Sequence, residues 1–396
     1  MDAQKEIMKK LILTVAFCLP MGAQAQSIEQ VLQSIERNNK ELQSQVCLFG
    51  AEKMENRAEN NLPDPTVSYS SFYKNGAGAG HGTEFVATQS FDFPTQYITR
   101  NRQAELENRA IDFRREGARR DILLRAKQLC LDLILLNKEK NLMELRRKNA
   151  DELAALYNQR FEAGDANVLD VNKIKMEHMN VVAEVAENRA AHRTALQSLL
   201  AMNGNLPLEF EASDYPQVRE LTDYNRVYDE VMSADCNLQS ADAYTRAAEK
   251  QVSVERQNWL PKLEAGFRRN TESEMSMNGF VVGGSIPLFS NRKKVQIAKA
   301  QAVGARLMQE DARLHAENSL MSLFNEMRQL KEALSVCDVP LMYRSLDLLK
   351  QALTEGQISL IDYLVEAENV YRNLLSYMRL ENRFQKVVAD ICKNEL

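Results

Sequence analysis

The sequence predicts a mainly α-helical protein with a smaller β portion of the transmembrane type. Three observations support this fold class. Charged residues make up 27% of the chain and aromatic residues only 7%, a balance that favours extensive helix. Two segments alternate apolar and polar residues in the manner of β-strands. Landmarks of the first half recur in the second half, so the chain is predicted to be a duplicated unit.

Two copies of one turn motif show the duplication most clearly. Each has the form Gly-x4-[Leu/Ile]-Asp, and the copies at residues 164–170 and 356–362 lie 192 residues apart (356 − 164). A unit of this length is far longer than the roughly 20–50 residues of a solenoid repeat. Further matching landmarks are Asn61-Leu62-Pro63 with Trp259-Leu260-Pro261, and Ser90-Phe91-Asp92-Phe93 with Ser285-Ile286-Pro287-Leu288. We therefore predict two structural repeats, at 26–205 and 224–396, joined by a connector at 206–223.

Residues 1–25 have the features of a secretory signal peptide. Two lysines precede the apolar stretch Leu11–Leu19, and Ala23-Gln24-Ala25 supplies the small-residue cleavage site. Cys18 follows a phenylalanine, which is bulkier than the small residue that precedes a lipidated cysteine. We therefore expect an unacylated mature chain that starts near residue 26.

The first helix is predicted over residues 28–61, where Pro63 ends it. Period-two alternation then predicts two β-hairpins, at about 66–93 and 262–289, and Gln89 interrupts the apolar face of the first. Each strand has about the 9–11 residues that a tilted transmembrane strand needs. The residues predicted to share the apolar faces are Val67, Tyr69, Tyr73, Phe85, Ala87, Phe91 and Phe93 in the first hairpin, and Leu263, Ala265, Phe267, Phe280, Val282, Ile286 and Leu288 in the second.

After each hairpin the apolar pattern changes to a helical one. Apolar residues recur every seven residues from Ile122 to Ala150 and from Leu320 to Leu348, and this spacing is a coiled-coil register. The segment 95–163 would form a helix of roughly 100 Å.

A return helix is predicted to follow each turn motif, at residues 167–202 and 359–394. Pro340 is expected to kink or break the second long helix, because proline lacks the backbone N–H that the helix interior requires.

Four strands are too few to close a membrane barrel, which needs about eight. Open sheet edges in lipid would leave unpaired backbone groups, at a cost of several kcal/mol each. If these strands enter a membrane, the chain must therefore oligomerise, and three copies would supply 12 strands.

Charge and residue spacing exclude several classes of function. The net charge of the chain is −5, so no basic excess is available to neutralise the phosphates of a nucleic acid. No histidine pair has the spacing of metal ligands, and no Ser-His-Asp, Cys-His or paired-carboxylate pattern is present. We predict a protein that is not an enzyme and that has no cofactor or metal. Met275 and Met277 are the one pair that merits a test for a soft metal ion.

The cysteines do not predict a disulfide framework. Five of them follow the signal peptide, an odd number, and they are scattered through segments of helical pattern. Free cysteine behaves as a small hydrophobic residue. We therefore expect the following side chains to be buried: Cys47, Cys130, Cys236, Cys337 and Cys392.

The chain resembles the TolC family of outer-membrane efflux proteins over essentially all of the mature sequence. The resemblance rests on the duplicated order of elements, the two glycine turns, the Leu-Pro strand starts at Pro63 and Pro261, and the strand exit at 285–289. It implies a homotrimer with a 12-stranded β-barrel in the outer membrane of a Gram-negative bacterium and a helical tunnel across the periplasm. It also implies docking to a periplasmic adaptor and an inner-membrane pump, and a passive exit duct for small toxic compounds or metal ions.

The family places the two glycine turns at the inner tips of the helical hairpins, where the tunnel narrows and the adaptor docks. The resemblance therefore implies adaptor docking at Gly164, Asp165, Gly356 and Gln357. It implies a selective acidic tunnel entrance formed by Asp170, Glu355, Asp362 and Glu366. The residues themselves leave a second interpretation open, because glycine allows the positive φ of a tight turn and a carboxylate in the first turn of a helix is stabilised by the helix dipole.

Three other functions stay open at the level of the sequence. One is an exported soluble coiled-coil scaffold whose strands pack on a domain core. Another is the exit duct of a type I protein secretion system. The third is the periplasmic adaptor itself, although adaptors carry one helical hairpin and this sequence predicts two.

Overall fold

The computed structural model describes residues 27–73, 80–272 and 275–396. The predicted signal peptide and Cys18 lie outside these residues, as does most of the glycine-rich turn of the first β-hairpin. The described residues are mostly helical, and four strands form one sheet. In chain order the elements are α1 Ile28–Asn38, α2 Lys40–Ala58, β1 Thr66–Tyr73, β2 His81–Phe91, α3 Pro94–Glu162, α4 Val168–Met202, α5 Tyr224–Ala234, α6 Cys236–Gln257, β3 Lys262–Glu272, β4 Met275–Ser285, α7 Lys294–Val336, α8 Val339–Thr354 and α9 Leu360–Ile391.

The long helices agree closely with the prediction. Helix α3 is a continuous helix of 69 residues. The predicted break at Pro340 is confirmed, because α7 ends at Val336 and Pro340 lies in the first turn of α8. Asp338 caps this new helix, and its Oδ1 accepts a hydrogen bond from the backbone N–H of Leu341 at 2.9 Å. The residues that end α7 thus provide the start signal for α8.

The prediction of one helix over 28–61 is wrong, because the structure has two helices there. Asn39 interrupts them with an extended backbone (φ −65°, ψ 120°), and its side-chain amide donates to the carbonyl oxygen of Met202 at 2.8 Å. The second repeat has a matching break at Asp235, between α5 and α6. In both places a residue with a short polar side chain competes with the helical backbone for hydrogen bonds.

The four strands form a single antiparallel sheet in the order β1-β2-β3-β4. The two predicted hairpins are therefore joined through β2 and β3. The register places Ala87 opposite Val67 and Phe267, and it places Phe267 opposite Phe280. Because side chains alternate along a strand, these residues all lie on one face, which we call the apolar face. Thr66, Thr88, Gly266 and Val281 face the other side, which is largely polar.

Two strands end earlier than predicted. Strand β2 ends at Phe91 and not at residue 93, and β4 ends at Ser285 and not at residue 289. Pro94 starts α3, and Pro287 has no N–H to donate to a neighbouring strand. The segment from Ile286 to Phe289 therefore lies beyond the strand, and the chain leaves β4 at Ser285, the first residue of the predicted strand exit.

Gln89 interrupts the apolar face for a structural reason. Its side-chain amide donates to the carbonyl oxygens of Pro63, at 2.6 Å, and Ser90, at 3.0 Å. It thereby fixes the chain segment that leads into β1.

The described chain divides into two compact units. Unit 1 contains the residues of 1–40 that the structure describes, 123–219 and 327–389, and unit 2 contains 41–122, 220–326 and 390–396. Each unit thus draws residues from both predicted repeats. Unit 1 holds a core of apolar side chains from α3, α4, α8 and α9. Its buried members include Leu142, Leu153, Tyr157, Ile174, Leu346, Leu353, Tyr363 and Leu374.

The cysteines agree with the prediction in part. None of the five in the described chain forms a disulfide. Cys130 and Cys236 are buried, and burial raises the pKa of Cys130 to about 12, so its thiol stays protonated. The expectation of burial is wrong for Cys47, which is exposed on α2, and Cys337 and Cys392 are half-buried.

Candidate functional site

The first glycine turn closes helix α3 with a well-defined pair of hydrogen bonds. Gly164 has φ 84°, in the left-handed region. The N–H of Asp165 donates to the carbonyl of Arg160 at 2.8 Å, and the N–H of Gly164 donates to that of Phe161 at 3.1 Å. This is a Schellman motif, which satisfies the last carbonyls of a helix while the chain reverses.

The second glycine turn has the same geometry at the end of α8. Gly356 has φ 73°. The N–H of Gln357 donates to Ala352 at 2.8 Å, and that of Gly356 donates to Leu353 at 3.2 Å. The predicted positive φ is therefore confirmed at both glycines. Asp165 and Gln357 occupy equivalent positions, and both side chains are exposed.

Asp170 and Asp362 both occupy the third position of a return helix. Asn167 caps α4, and its Oδ1 accepts from the N–H of Asp170 at 2.9 Å. In the other turn, the hydroxyl of Ser359 accepts from the N–H of Asp362 at 3.2 Å and donates to its carboxylate at 2.6 Å. Both carboxylates lie at the positive end of a helix dipole. These contacts agree with the interpretation of both aspartates as residues that stabilise the start of a helix. The Asp362 side chain is at the same time exposed to solvent.

The second turn also carries the two glutamates that were predicted beside it. Glu355 is held by two amides, since Gln351 donates to its Oε1 at 2.8 Å and Gln357 donates to its Oε2 at 2.7 Å. Glu366 is exposed, one helical turn after Asp362. Three exposed carboxylates therefore lie on this segment, while Asp170 lies half-buried at the other turn.

A buried arginine in unit 1 was not predicted from the sequence. Arg146 on α3 has a side chain that is only 7% exposed, and it contacts Glu177 at 2.8 Å, Glu184 at 3.1 Å and Glu368 at 2.6 Å. Its guanidinium also lies over the ring of Tyr371, 5.2 Å from the centroid. Arg146 thus joins α3 to both α4 and α9. The heptad register contained the signal, because Arg146 follows Met143 by three residues and so falls at a core position.

The carboxylates around Arg146 outnumber it. They line an open groove of about 480 Å³ together with Glu187, Leu364 and Val365. Burial raises the pKa of Glu184, Arg146 lowers it, and the nearby carboxylates of Glu368 and Glu177 raise it again. Burial is the largest of these effects, so the pKa of Glu184 stays raised despite its contact with Arg146.

The polar face of the sheet carries paired charges and hydroxyls. The hydroxyls of Thr66 and Thr88 lie 2.7 Å apart, and Arg268 forms an ion pair with Glu84. At the base of the sheet, the buried carboxylate of Asp92 contacts Arg100 at 2.7 Å. Lys262 contacts the same carboxylate at 3.3 Å.

The two predicted strand-start prolines lie close to the strands but not at identical positions. Pro261 immediately precedes β3, whereas Pro63 lies three residues before β1. The carbonyl of Pro63 accepts the hydrogen bond of Gln89 described above.

The described residues offer neither a metal site nor a membrane-spanning helix. In 27–73, 80–272 and 275–396, no three His, Cys, Asp or Glu side chains are grouped in a way that could hold a metal ion. None of the helices described has a stretch apolar enough for it to span a bilayer.

Residues 227–391 match the sequence profile of a family described as outer membrane efflux protein. No curated protein matches the chain in sequence.

Several solved structures have the same fold. A membrane protein from Pseudomonas aeruginosa is 15% identical with a TM-score of 0.79, and the match covers 93% of this chain and 90% of that one. The outer membrane channel CmeC of Campylobacter jejuni is 15% identical with a TM-score of 0.70, over 95% and 90%. The outer membrane channel MtrE of Neisseria gonorrhoeae, in its open state, is 13% identical with a TM-score of 0.70, over 93% and 88%.

Proposed function

We propose that this chain is an outer membrane efflux protein, one subunit of a trimeric channel that acts as the passive exit duct of a tripartite efflux pump. The channel lies in the outer membrane and extends into the periplasm. It performs no chemistry on its cargo, and the energy for export comes from the inner-membrane transporter. The cargo class is small toxic compounds or metal ions.

The observation that carries this proposal is the sheet, which has one apolar face and one largely polar face. Its apolar face is open in the single chain, and Phe280 is 93% and Val282 88% exposed. A soluble scaffold would bury such a face on a core, because large exposed apolar patches are costly in water. Lipid removes that cost, and the polar face with its Glu84–Arg268 pair is suited to a water-filled lumen.

The sheet edges require more than one copy. Strands β1 and β4 are the outermost strands of the four-stranded sheet. In lipid, the unpaired backbone groups of an edge strand cost several kcal/mol each. Pairing β4 of one copy with β1 of the next removes both edges, and three copies close a barrel of 12 strands.

The glycine turns are the proposed contact sites for the partners. The backbone turns at Gly164 and Gly356 present the exposed side chains of Asp165 and Gln357, which would meet a periplasmic adaptor. The carboxylates of Asp170, Glu355, Asp362 and Glu366 would line the tunnel entrance. Threefold repetition concentrates their negative charge and favours cations.

The native mass of the protein extracted from isolated outer membranes tests the proposal. A detergent-solubilised trimer is expected. A monomer or dimer that salt releases into the soluble fraction would mean that the strands never meet lipid, and the channel proposal would then be wrong.

A further inference from the structure

The turn that follows strand β4 combines exposed apolar and basic side chains. Leu288 is 65% and Phe289 84% exposed. Three consecutive cations follow, the last of which begins α7, and all three are exposed: Arg292, Lys293 and Lys294. Within the part of the chain that the structure describes, no carboxylate pairs with these cations. In a chain of net charge −5, this is a local concentration of free positive charge beside free apolar surface.

The turn is fixed in place. The amide of the buried Asn291 donates to the backbone carbonyl of Asn258. Backbone hydrogen bonds also run from Leu288 to Ile286 at 2.9 Å and from Arg292 to Phe289 at 3.3 Å. The segment is therefore an exposed surface whose position is fixed by its contact with the end of helix α6.

The backbone of the turn is strained at one of the cations. Lys293 has φ 68°, in the left-handed region that residues with a Cβ seldom adopt. Backbone strain of this kind persists only where the surrounding structure enforces it, and it is found disproportionately at functional sites. The left-handed conformation of Lys293 lets the chain turn sharply into α7, and the side chains of Arg292 and Lys294 remain exposed to solvent.

The position of the turn indicates what it contacts. Ser285, the last residue of β4, pairs with Lys262, the first residue of β3. The turn therefore lies at the end of the sheet where the chain enters and leaves the helices. Trp259, the one tryptophan of the chain, lies at the same end and is 45% exposed. Tryptophan beside basic residues is typical of the boundary between lipid and water.

We propose that residues 286–294 form a binding surface for anionic phospholipid headgroups at the periplasmic boundary of the outer membrane. Leu288 and Phe289 enter the edge of the acyl layer, and Arg292, Lys293 and Lys294 contact the phosphates. The inference rests on the proposed function, because it needs the sheet to stand in a bilayer. It assigns the turn to lipid because exposed apolar side chains lie directly beside cations and near Trp259, a combination typical of the headgroup boundary.

Trp259 provides a direct probe of this surface, because it is the chain's single tryptophan. The trimer is reconstituted in phosphatidylcholine vesicles that contain a small, equal mole fraction of brominated phosphatidylcholine or brominated phosphatidylglycerol. Bromine on the acyl chains quenches tryptophan only at close range. We expect stronger quenching by the anionic lipid, with a local enrichment on the order of fivefold for one effective cation near the surface.

A triple variant tests the role of the cations. Arg292→Gln, Lys293→Gln and Lys294→Gln together should abolish the preference for the anionic lipid. The matched control removes three exposed cations from unit 1 by Arg147→Gln, Lys148→Gln and Lys175→Gln, and it should keep the preference. In the unsubstituted protein, raising the salt concentration should lower the preference, because salt screens exposed charges.

The possible failures are distinguishable. If the trimer floats with the vesicles after a high-salt wash but both brominated lipids quench Trp259 equally, the headgroup surface is overturned and the channel proposal stands. If the protein does not float with the vesicles, the proposed function itself fails. If the triple variant loses the trimer, the turn is a contact between copies, and the lipid assignment is overturned.

Discussion

At the scale of single residues, the two turn glycines are set by backbone geometry alone. An added Cβ would meet no atom within 4 Å at Gly164 or Gly356, yet both have positive φ. We expect Gly164→Ala or Gly356→Ala to destabilise the protein by about 1–2 kcal/mol, the cost of a left-handed alanine. The measurement is the free energy of unfolding in urea.

Gly304 is the matched control for this prediction. It lies inside helix α7, and an added Cβ would again meet nothing within 4 Å. Gly304→Ala should stabilise the protein by about 0.5–1 kcal/mol, because alanine is the better helix former. If the three substitutions have the same sign, positive φ is not the cause of the effect.

Asp362 is the residue at which capping and ion selectivity can be separated. The Ser359 hydroxyl accepts the N–H of Asp362, so asparagine at position 362 keeps this cap while removing the charge. Asp362→Asn should therefore cost at most about 0.3–1 kcal/mol of stability, the contribution of one charge at a helix end, and it should lower the cation preference of the reconstituted pore. The reversal potential in a salt gradient measures that preference. Asp311→Asn removes another exposed carboxylate, on α7, and should leave the reversal potential unchanged. An unchanged potential in Asp362→Asn would remove this residue from the tunnel entrance.

At the scale of the elements, Arg146 holds three helices together by charge. Arg146→Gln would leave the carboxylates of Glu177 and Glu184 without their arginine and Glu368 with only the distant Arg372, at 4.0 Å. Removal of one partner from a buried pair costs about 3–5 kcal/mol, and the partial exposure of Glu184 and Glu368 places this case toward the lower end. Adding Glu368→Gln to the arginine variant should recover part of the loss, as unfolding in urea would show. A double variant less stable than Arg146→Gln would contradict this account.

The same cluster predicts a pH dependence. The folded-state pKa of Glu184 lies above its usual value of 4.5, so the folded protein binds this proton more tightly than the unfolded chain. The contribution to stability is therefore present at acid pH and is lost as the pH rises through the folded-state pKa. Glu184→Gln should remove this dependence, which the urea midpoint against pH would report. Glu187→Gln, in the same groove, is the control.

Element boundaries show what the sequence could and could not predict. Helix α3 was predictable to within one residue at each end, because its seven-residue apolar period and the flanking Pro94 and Gly164 all agree. The breaks at Asn39 and Asp235 were not, because each depends on a side-chain hydrogen bond to a distant or local backbone group. The Arg146 cluster was missed for a related reason, since a heptad register marks a core position without revealing its partners.

At the scale of the whole molecule, the TolC-like fold and the four strands of the sheet are confirmed. The structure of a single chain does not specify whether lipid or water surrounds each face of the sheet. Two neighbouring valines can report on this. Val282 lies on the apolar face, and Val281 lies on the polar face. A lysine on the lipid face of a barrel costs roughly 2–4 kcal/mol near the bilayer centre.

Val282→Lys should therefore lower the fraction of trimer recovered from outer membranes, whereas Val281→Lys should be tolerated because it lies on the polar face, which the proposed barrel turns toward its lumen. The yield of detergent-extracted trimer checks both. Equal yields for the two variants would contradict the assignment of the faces.

Each compact unit is built from separate stretches of the chain, and this affects how the protein folds after secretion. Unit 1 needs residues up to 40, from 123 to 219 and from 327 to 389, so its core cannot close until almost the entire polypeptide has been secreted. Contacts that span so much of a chain form slowly and leave apolar surface exposed in the meantime. Biogenesis of this protein should therefore depend on a periplasmic holding chaperone. Truncated chains should be degraded by proteases and should not form partial channels.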